Sequence, residues 1–219
     1  MKHLTILYVA FMGLCVFAVS CSPKLGTSWK EPNYQGKSYE KVVVVGIGGD
    51  LTGQRLFENN AVQLLRNNGV YAVSGTTIFP PNLSPKKDDD SEIIEILKEN
   101  KIDAVITMSL INENQSQRYV QGQTRAIPTG YVRFGKYYYR TYTHVREPGY
   151  YVDQNSYLIE AVLYDVSGEL KEGDNTMVWT GQSSLINPSS VQGAAVTFTE
   201  RMVGTLMNDQ IIVTNITKD

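Results

Sequence analysis

Residues 41–46, KVVVVG, form an unbroken β-branched run, the pattern of a strand buried on both faces. Asp50 then stands where a side-chain oxygen can cap the next helix. Within that helix Phe57, Ala61, Leu64 and Leu65 recur at helical spacing and define one apolar face. Asn68 and Gly69 end it, Gly69 suiting the left-handed C-cap position. Residues 70–73 read as a short second strand, and Phe79, Pro80, Pro81, Asn82 and Pro85 as a loop. Asp88, Asp89 and Asp90 precede EIIEILKEN, where acidic side chains favour a helix N-terminus and Ile93, Ile94 and Leu97 make the apolar face. Residues 103–111, DAVITMSLI, are the third strand. Strand, helix, strand, helix, strand implies a sheet with helices packed on it.

The rhythm then changes. Residues 150–166 read as a long strand in which Tyr157, Ile159, Ala161 and Leu163 alternate with other partners, and residues 176–186 as its return after a turn. Pro188 fits the first turn of a last helix, where its missing N–H costs nothing. Val191, Ala195, Phe198, Met202 and Leu206 recur at steps of three and four and give that helix a packing face. Residues 211–213 suggest a short terminal element. The expected fold class is α/β: a mixed β-sheet packed with helices, βαβαβ followed by antiparallel long hairpins and a C-terminal helix. One domain over residues 29–219 holds it.

The amino terminus follows another pattern. Lys2 and His3 precede an apolar stretch over residues 4–19, interrupted only by Thr5. A basic start and a short apolar core describe a signal peptide over residues 1–20. The stretch is shorter than the roughly 20 residues of a membrane span. Ala18, Val19, Ser20 and Cys21 resemble the lipobox of bacterial lipoproteins, with alanine where leucine is commoner. That resemblance implies acylation at Cys21, and two or three chains give durable attachment to a lipid bilayer. Cys15 follows bulky Leu14 and leaves with the signal, so the mature chain keeps no thiol for a disulfide or a metal. Residues 21–28 then read as a lipidated tether of small, polar and breaker residues. Ser22 after the cysteine resembles an outer-membrane sorting pattern, and no acidic run follows. The expected address is the cell envelope, lipid-anchored at the outer membrane and facing the periplasm.

Composition narrows the partners. Formal net charge is −2 over 219 residues, so no global basic field draws the chain to nucleic acid. An apolar fraction of 42% suffices to fill a core without disulfides. The chain has 14 tyrosines, clustered late. Tyr131, Arg133, Phe134, Tyr137, Tyr138, Tyr139, Arg140 and Tyr142 fall in one stretch and form the candidate interaction surface. Tyrosine offers contact area with a polar tip, arginine stacks on it, and both are enriched at binding hot spots. The competing expectation is that half of these rings, in alternation, cover the sheet as a long hairpin.

No catalytic constellation is visible. Gly48 and Gly53 have the spacing of a phosphate loop, but Gln54 and Arg55 stand where lysine and a hydroxyl residue are needed. The dinucleotide pattern fails at Leu51, so a strand-to-helix turn is the simpler reading. His144 is the only histidine after the signal, short of a zinc set or a triad. Asp88 to Asp90 lack calcium-loop spacing. No cofactor and no metal are expected. The rival is an envelope-polymer hydrolase with paired carboxylates, drawn from Glu58, Glu160 and Asp165, although odd spacing puts the last two on opposite faces of a regular strand. A small-ligand carrier would need an apolar pocket.

Several segments together resemble a known family. SWKEPNYQGKSYEKVVVVGI, RLFENNAVQLLRNNGVYAV, KIDAVITMSL and YLIEAVLYDVSGELKEGDNTMVWTGQSS are similar in order and spacing to bacterial lipoproteins of the domain-of-unknown-function 4136 (DUF4136) family. The resemblance covers residues 29–209, its most telling parts being Trp29 to Pro32, Arg55 to Glu58 and Val178 to Gly181. It implies no assigned reaction. It also implies a fold resembling the TolB amino-terminal type domain, found too in lipoproteins that assist curli secretion or activate peptidoglycan synthases. The expected function is a non-enzymatic envelope binding or assembly module, with an envelope protein or peptidoglycan as partner.

Overall fold

The computed structural model describes residues 24–48, 50–79, 91–168 and 176–214. The signal segment, Cys21, the loop residues Pro80 to Pro85, Asp88 to Asp90 and the turn at 169–175 lie outside the described residues. Eight strands are described: β1 (Thr27–Lys30), β2 (Val42–Ile47), β3 (Ala72–Ser74), β4 (Ala104–Val120), β5 (Thr124–Phe134), β6 (Tyr137–Arg146), β7 (Tyr150–Asp165) and β8 (Met177–Ile186). The helices are α1 (Leu51–Asn67), the single turn α2 (Gly75–Ile78), α3 (Ser91–Glu99) and α4 (Val191–Asn208). Six strands form one sheet in the order β1-β8-β7-β4-β2-β3, and β5-β6 form a second sheet of two. In the large sheet β2 runs parallel to β3 and β4, while β7 is antiparallel to β4 and β8. The sheet is therefore mixed, as expected.

Local chemistry places these elements. The Gly53 N–H donates to Asp50 Oδ1 at 2.8 Å, so the expected cap starts α1. Gly69 follows α1 with φ 82°, a left-handed conformation that glycine adopts without penalty. The run in β2 is buried on both faces. Val42 and Val44 join the main core with Ala61 and Leu65 of α1 and Phe198, Met202 and Leu206 of α4. Val43 faces the opposite side, where Leu97 of α3, Ile102 and Val166 form a smaller cluster. Among the described residues no helix is long and apolar enough to cross a membrane.

Five expectations change. The tether does not extend to residue 28: Thr27 and Ser28 already belong to β1, which pairs with β8. The Gly26 N–H also donates to Gln182 O at 2.9 Å, and Leu25 packs on the core. Small polar residues join an edge strand readily, because the ladder needs only backbone groups. The strand expected at 103–111 continues to Val120, since polar residues on both sides still pair in register with β7. Pro188 lies ahead of α4, whose N-cap is Ser190, with Gly193 N–H donating to its hydroxyl at 3.0 Å. Val191 is exposed and takes no part in the core. Residues 211–213 contribute one parallel bridge, Lys37 to Ile212, and no regular element.

Candidate functional site

The middle of the chain leaves the body. β4 and β7 stay paired in register from Ala104 and Asp165 out to Val120 and Tyr150, with one irregularity between Leu110 and Asn112. Only the inner half of this ribbon is covered by helices. From Asn112 outward, β4 is exposed apart from its half-buried last residue Val120. At about 3.4 Å per residue the stretch from Asn112 to Val120 is a neck roughly 27 Å long. Its side chains are mostly amides and hydroxyls, and Gln117 Nε2 donates to Asp153 Oδ1 at 3.0 Å. The Tyr119 and Tyr151 rings close its outer end, centroids 5.1 Å apart.

The hairpin β5-β6 caps this neck. Two glycines make the junction. A Cβ on Gly122 would strike the carbonyl of Glu147, and one on Gly149 the ring of Tyr119. Gly135, with φ 61°, stands first in the two-residue loop, where a hairpin turn favours glycine. Arg133 Nε donates to Gly135 O at 2.9 Å and braces that loop.

The hairpin has two unlike faces. On one, Arg133 lies opposite Tyr138 and Arg140 opposite Tyr131, followed along β6 by Tyr142, His144 and Arg146. On the other lie Tyr137, Tyr139, Val132, Ile127 and Val145. Both faces meet solvent: Tyr137 is 77% exposed, Tyr138 67% and Tyr131 65%. Seven of the eight residues expected as an interaction surface thus sit together with exposed side chains. The eighth, Phe134, pairs with Tyr137 through its backbone, and its side chain lies outside the described set. The expectation that alternate rings cover the sheet is not met, because among the described residues this hairpin pairs with no third strand. The polar neck was not foreseen. A strand solvated on both faces has no alternation to betray it, and the only signal was the glycine pair flanking the tyrosine-rich segment.

The remaining candidates are spent elsewhere. Glu58 is 1% exposed and ties three segments together. It accepts from the Gly46 N–H and the Thr76 N–H, each at 2.9 Å, and from the Ser74 hydroxyl. The end of β2 that leads into the glycine-rich turn thus gives its Gly46 amide to a carboxylate of the same chain. Glu160 accepts from Gln182 Nε2 at 2.8 Å and Thr180 Oγ1 at 3.3 Å. Asp165 pairs with Lys37 at 3.1 Å. Five strand steps, about 17 Å, separate Glu160 from Asp165, beyond the 5–10 Å that paired glycosidase carboxylates need. His144 is exposed on β6. Among the described residues no three metal-ligating side chains converge. Two clefts of about 360 and 210 Å³ flank the start of α4, the larger with Arg201 at its edge and the smaller between α1, the end of β2 and residues 108–110 of β4.

No family model and no curated protein matches this chain. Several solved structures are similar to it. A single-substitution variant of the PelC dodecamer from Paraburkholderia phytofirmans is 12% identical, with a TM-score of 0.42 over 83% of this chain and 99% of that one. The PelC dodecamer from the same organism in another crystal form is 13% identical, with a TM-score of 0.38 over 81% and 91%. The lipoprotein GNA1162 from Neisseria meningitidis is 14% identical, with a TM-score of 0.38 over 77% and 98%.

Proposed function

We propose that this chain is a lipid-anchored protein of the cell envelope, acylated at Cys21, that acts as a non-enzymatic binding module through its β5-β6 hairpin. The outer membrane, periplasmic side, is its place in this reading, and its fold is of the TolB amino-terminal type. The observation that supports it best is the hairpin itself. A two-stranded ribbon is marginal in water on its own. Here one is held clear of the body with tyrosines and arginines bare on one face and apolar side chains bare on the other. Solvent-exposed apolar area of this kind marks an interaction site. The carboxylates that a hydrolase would need are committed to backbone, amide and ammonium partners.

Two measurements test this. Intact-mass analysis of the mature protein should give a chain beginning at Cys21 and carrying acyl groups; a product with Met1 retained or without hydrocarbon refutes the anchor. Crosslinking in the intact envelope from a photoreactive residue at position 138 should capture an envelope component. Replacing Tyr137, Tyr138 and Tyr139 with serine should abolish that capture and leave the circular dichroism spectrum unchanged.

A further inference from the structure

We infer that the β5-β6 hairpin docks on anionic phospholipid headgroups of the same bilayer that holds the Cys21 anchor. This rests on the reading of Cys21 and of the hairpin given above.

Leu25 packs on the core and Gly26 bonds to Gln182, so the chain is already fixed there. Four peptide steps separate Leu25 from Cys21, a span of at most about 14 Å. β1 is antiparallel to β8, with Thr27 opposite Gln182 and Lys30 opposite Trp179. The other end of β8, Ile186, pairs with Ser156 on the neck. The chain therefore enters the sheet from the end that bears the arm. Running on from Gln182 to Met177, the far end of β8, takes about 17 Å. The tether is too short to carry the anchor round to that side.

The arm outreaches the tether. Gln182 pairs with Glu160, and ten residues of β7, about 33 Å, lead from there to Tyr150. The hairpin extends beyond. With the bilayer held within about 14 Å of Leu25, an arm of this length pointing the same way meets its surface. The body end that faces this way is also apolar: Ile47, Leu51, Leu110, Ile186 and Val191 are all exposed there.

Between Arg118 and Tyr150 six lysines and arginines face one acid, Glu147, a net of +5. The whole chain carries −2, so the remainder carries −7. Positive charge is concentrated on the arm, at the end of the molecule where the anchor enters. Arginine pairs with phosphate through parallel N–H bonds, and tyrosine rings settle at the headgroup level. Arg133, Tyr138, Tyr131 and Arg140 share one face of the hairpin, and that face meets the headgroups. The ribbon cannot go further. Each outer edge of a two-stranded sheet keeps backbone groups that hydrocarbon cannot satisfy, so it lies at the surface and does not span.

The test uses the chain from residue 21 onward with Cys21→Ser, which contains both core clusters in full because they run from Leu25 to Ile212. It is sedimented with vesicles of phosphatidylcholine alone or with added phosphatidylglycerol. Binding should appear only with phosphatidylglycerol and vanish near 1 M salt, where charges are screened within about 3 Å. A basic side chain near an anionic surface is worth about fivefold in partitioning, so Arg133→Glu, Lys136→Glu and Arg140→Glu together should cost at least about a hundredfold. The urea midpoint of that variant should match the parent. Failure to bind phosphatidylglycerol vesicles, equal binding by the variant, or self-association in solution as the hairpin's sole contact overturns the proposal. Acylation mass and envelope crosslinks are independent of that result, so the broader reading can stand while this one falls.

Discussion

The guanidinium of Arg140 sits 5.4 Å from the ring centre of Tyr131 and donates a 2.9 Å hydrogen bond to its hydroxyl. The two face each other across the hairpin, and Arg133 repeats the arrangement over Tyr138 at 6.0 Å. Exposed pairs of this kind contribute about 0.5–1 kcal/mol each. They order the tip of the arm and add little to the body.

Arg140→Ala should therefore act locally. Global stability is expected to change by no more than about 1 kcal/mol in urea, the upper end for one exposed pair. Amide exchange across Tyr131 to Tyr142 should quicken while the core strands stay protected.

Glu58 is the opposite case. Glu58→Ala leaves the amides of Gly46 and Thr76 and the Ser74 hydroxyl without their acceptor in a buried place. The expected cost is about 3 kcal/mol, from orphaned groups worth roughly 1–3 kcal/mol each with partial relaxation. Urea unfolding reads it. Loss of stability below about 1 kcal/mol, the low end for a single orphaned group, would show that this carboxylate is not a structural tie.

Two glycines of like conformation should respond unequally to alanine. Gly48 (φ 77°) has open space where a Cβ would stand, so Gly48→Ala should cost about 1–2 kcal/mol, the left-handed penalty alone. Gly36 (φ 82°) meets the backbone carbonyl of Gln210, which cannot turn aside, so Gly36→Ala should cost more than about 2 kcal/mol. Thermal melts of the two variants side by side decide it.

Stability should fall at both ends of the pH range. Burial raises the Asp165 carboxyl, but bonds from the Ser167 hydroxyl and amide and from the Lys37 ammonium outweigh it and hold the pKa below the usual 3.8. Its contribution is present above the unfolded value of about 3.9 and is lost as pH falls through the lower folded value. Burial, the hydrogen bond with the Tyr34 hydroxyl and nearby negative charge push the Tyr39 phenol well above 10.0. That contribution is present below about pH 10 and is lost as the pH rises beyond it. Urea midpoints measured across pH should drop below about pH 4 and above about pH 10. Lys37→Met should shrink the acid drop, and Tyr39→Phe the alkaline one.

The sequence by itself determined the body of the fold. Val42 to Val44, the α1 face of Ala61 and Leu65 and the α4 face of Phe198, Met202 and Leu206 all follow from periodicity, because burial on one side of a regular element repeats with that element's own period. It also marked the aromatic–basic segment, by composition alone. The tertiary structure decided the rest: that the segment stands free, that a polar neck carries it, that Arg140 meets Tyr131, and that Glu58 is buried as a tie between β2 and α2. These depend on the register of β4 against β7 and of β5 against β6, and on the packing of α1 beside β2 and α2. Pairing partners distant along the chain are set by backbone hydrogen bonds, which are blind to side-chain type, so a ribbon wet on both faces leaves no imprint in the pattern of apolar residues.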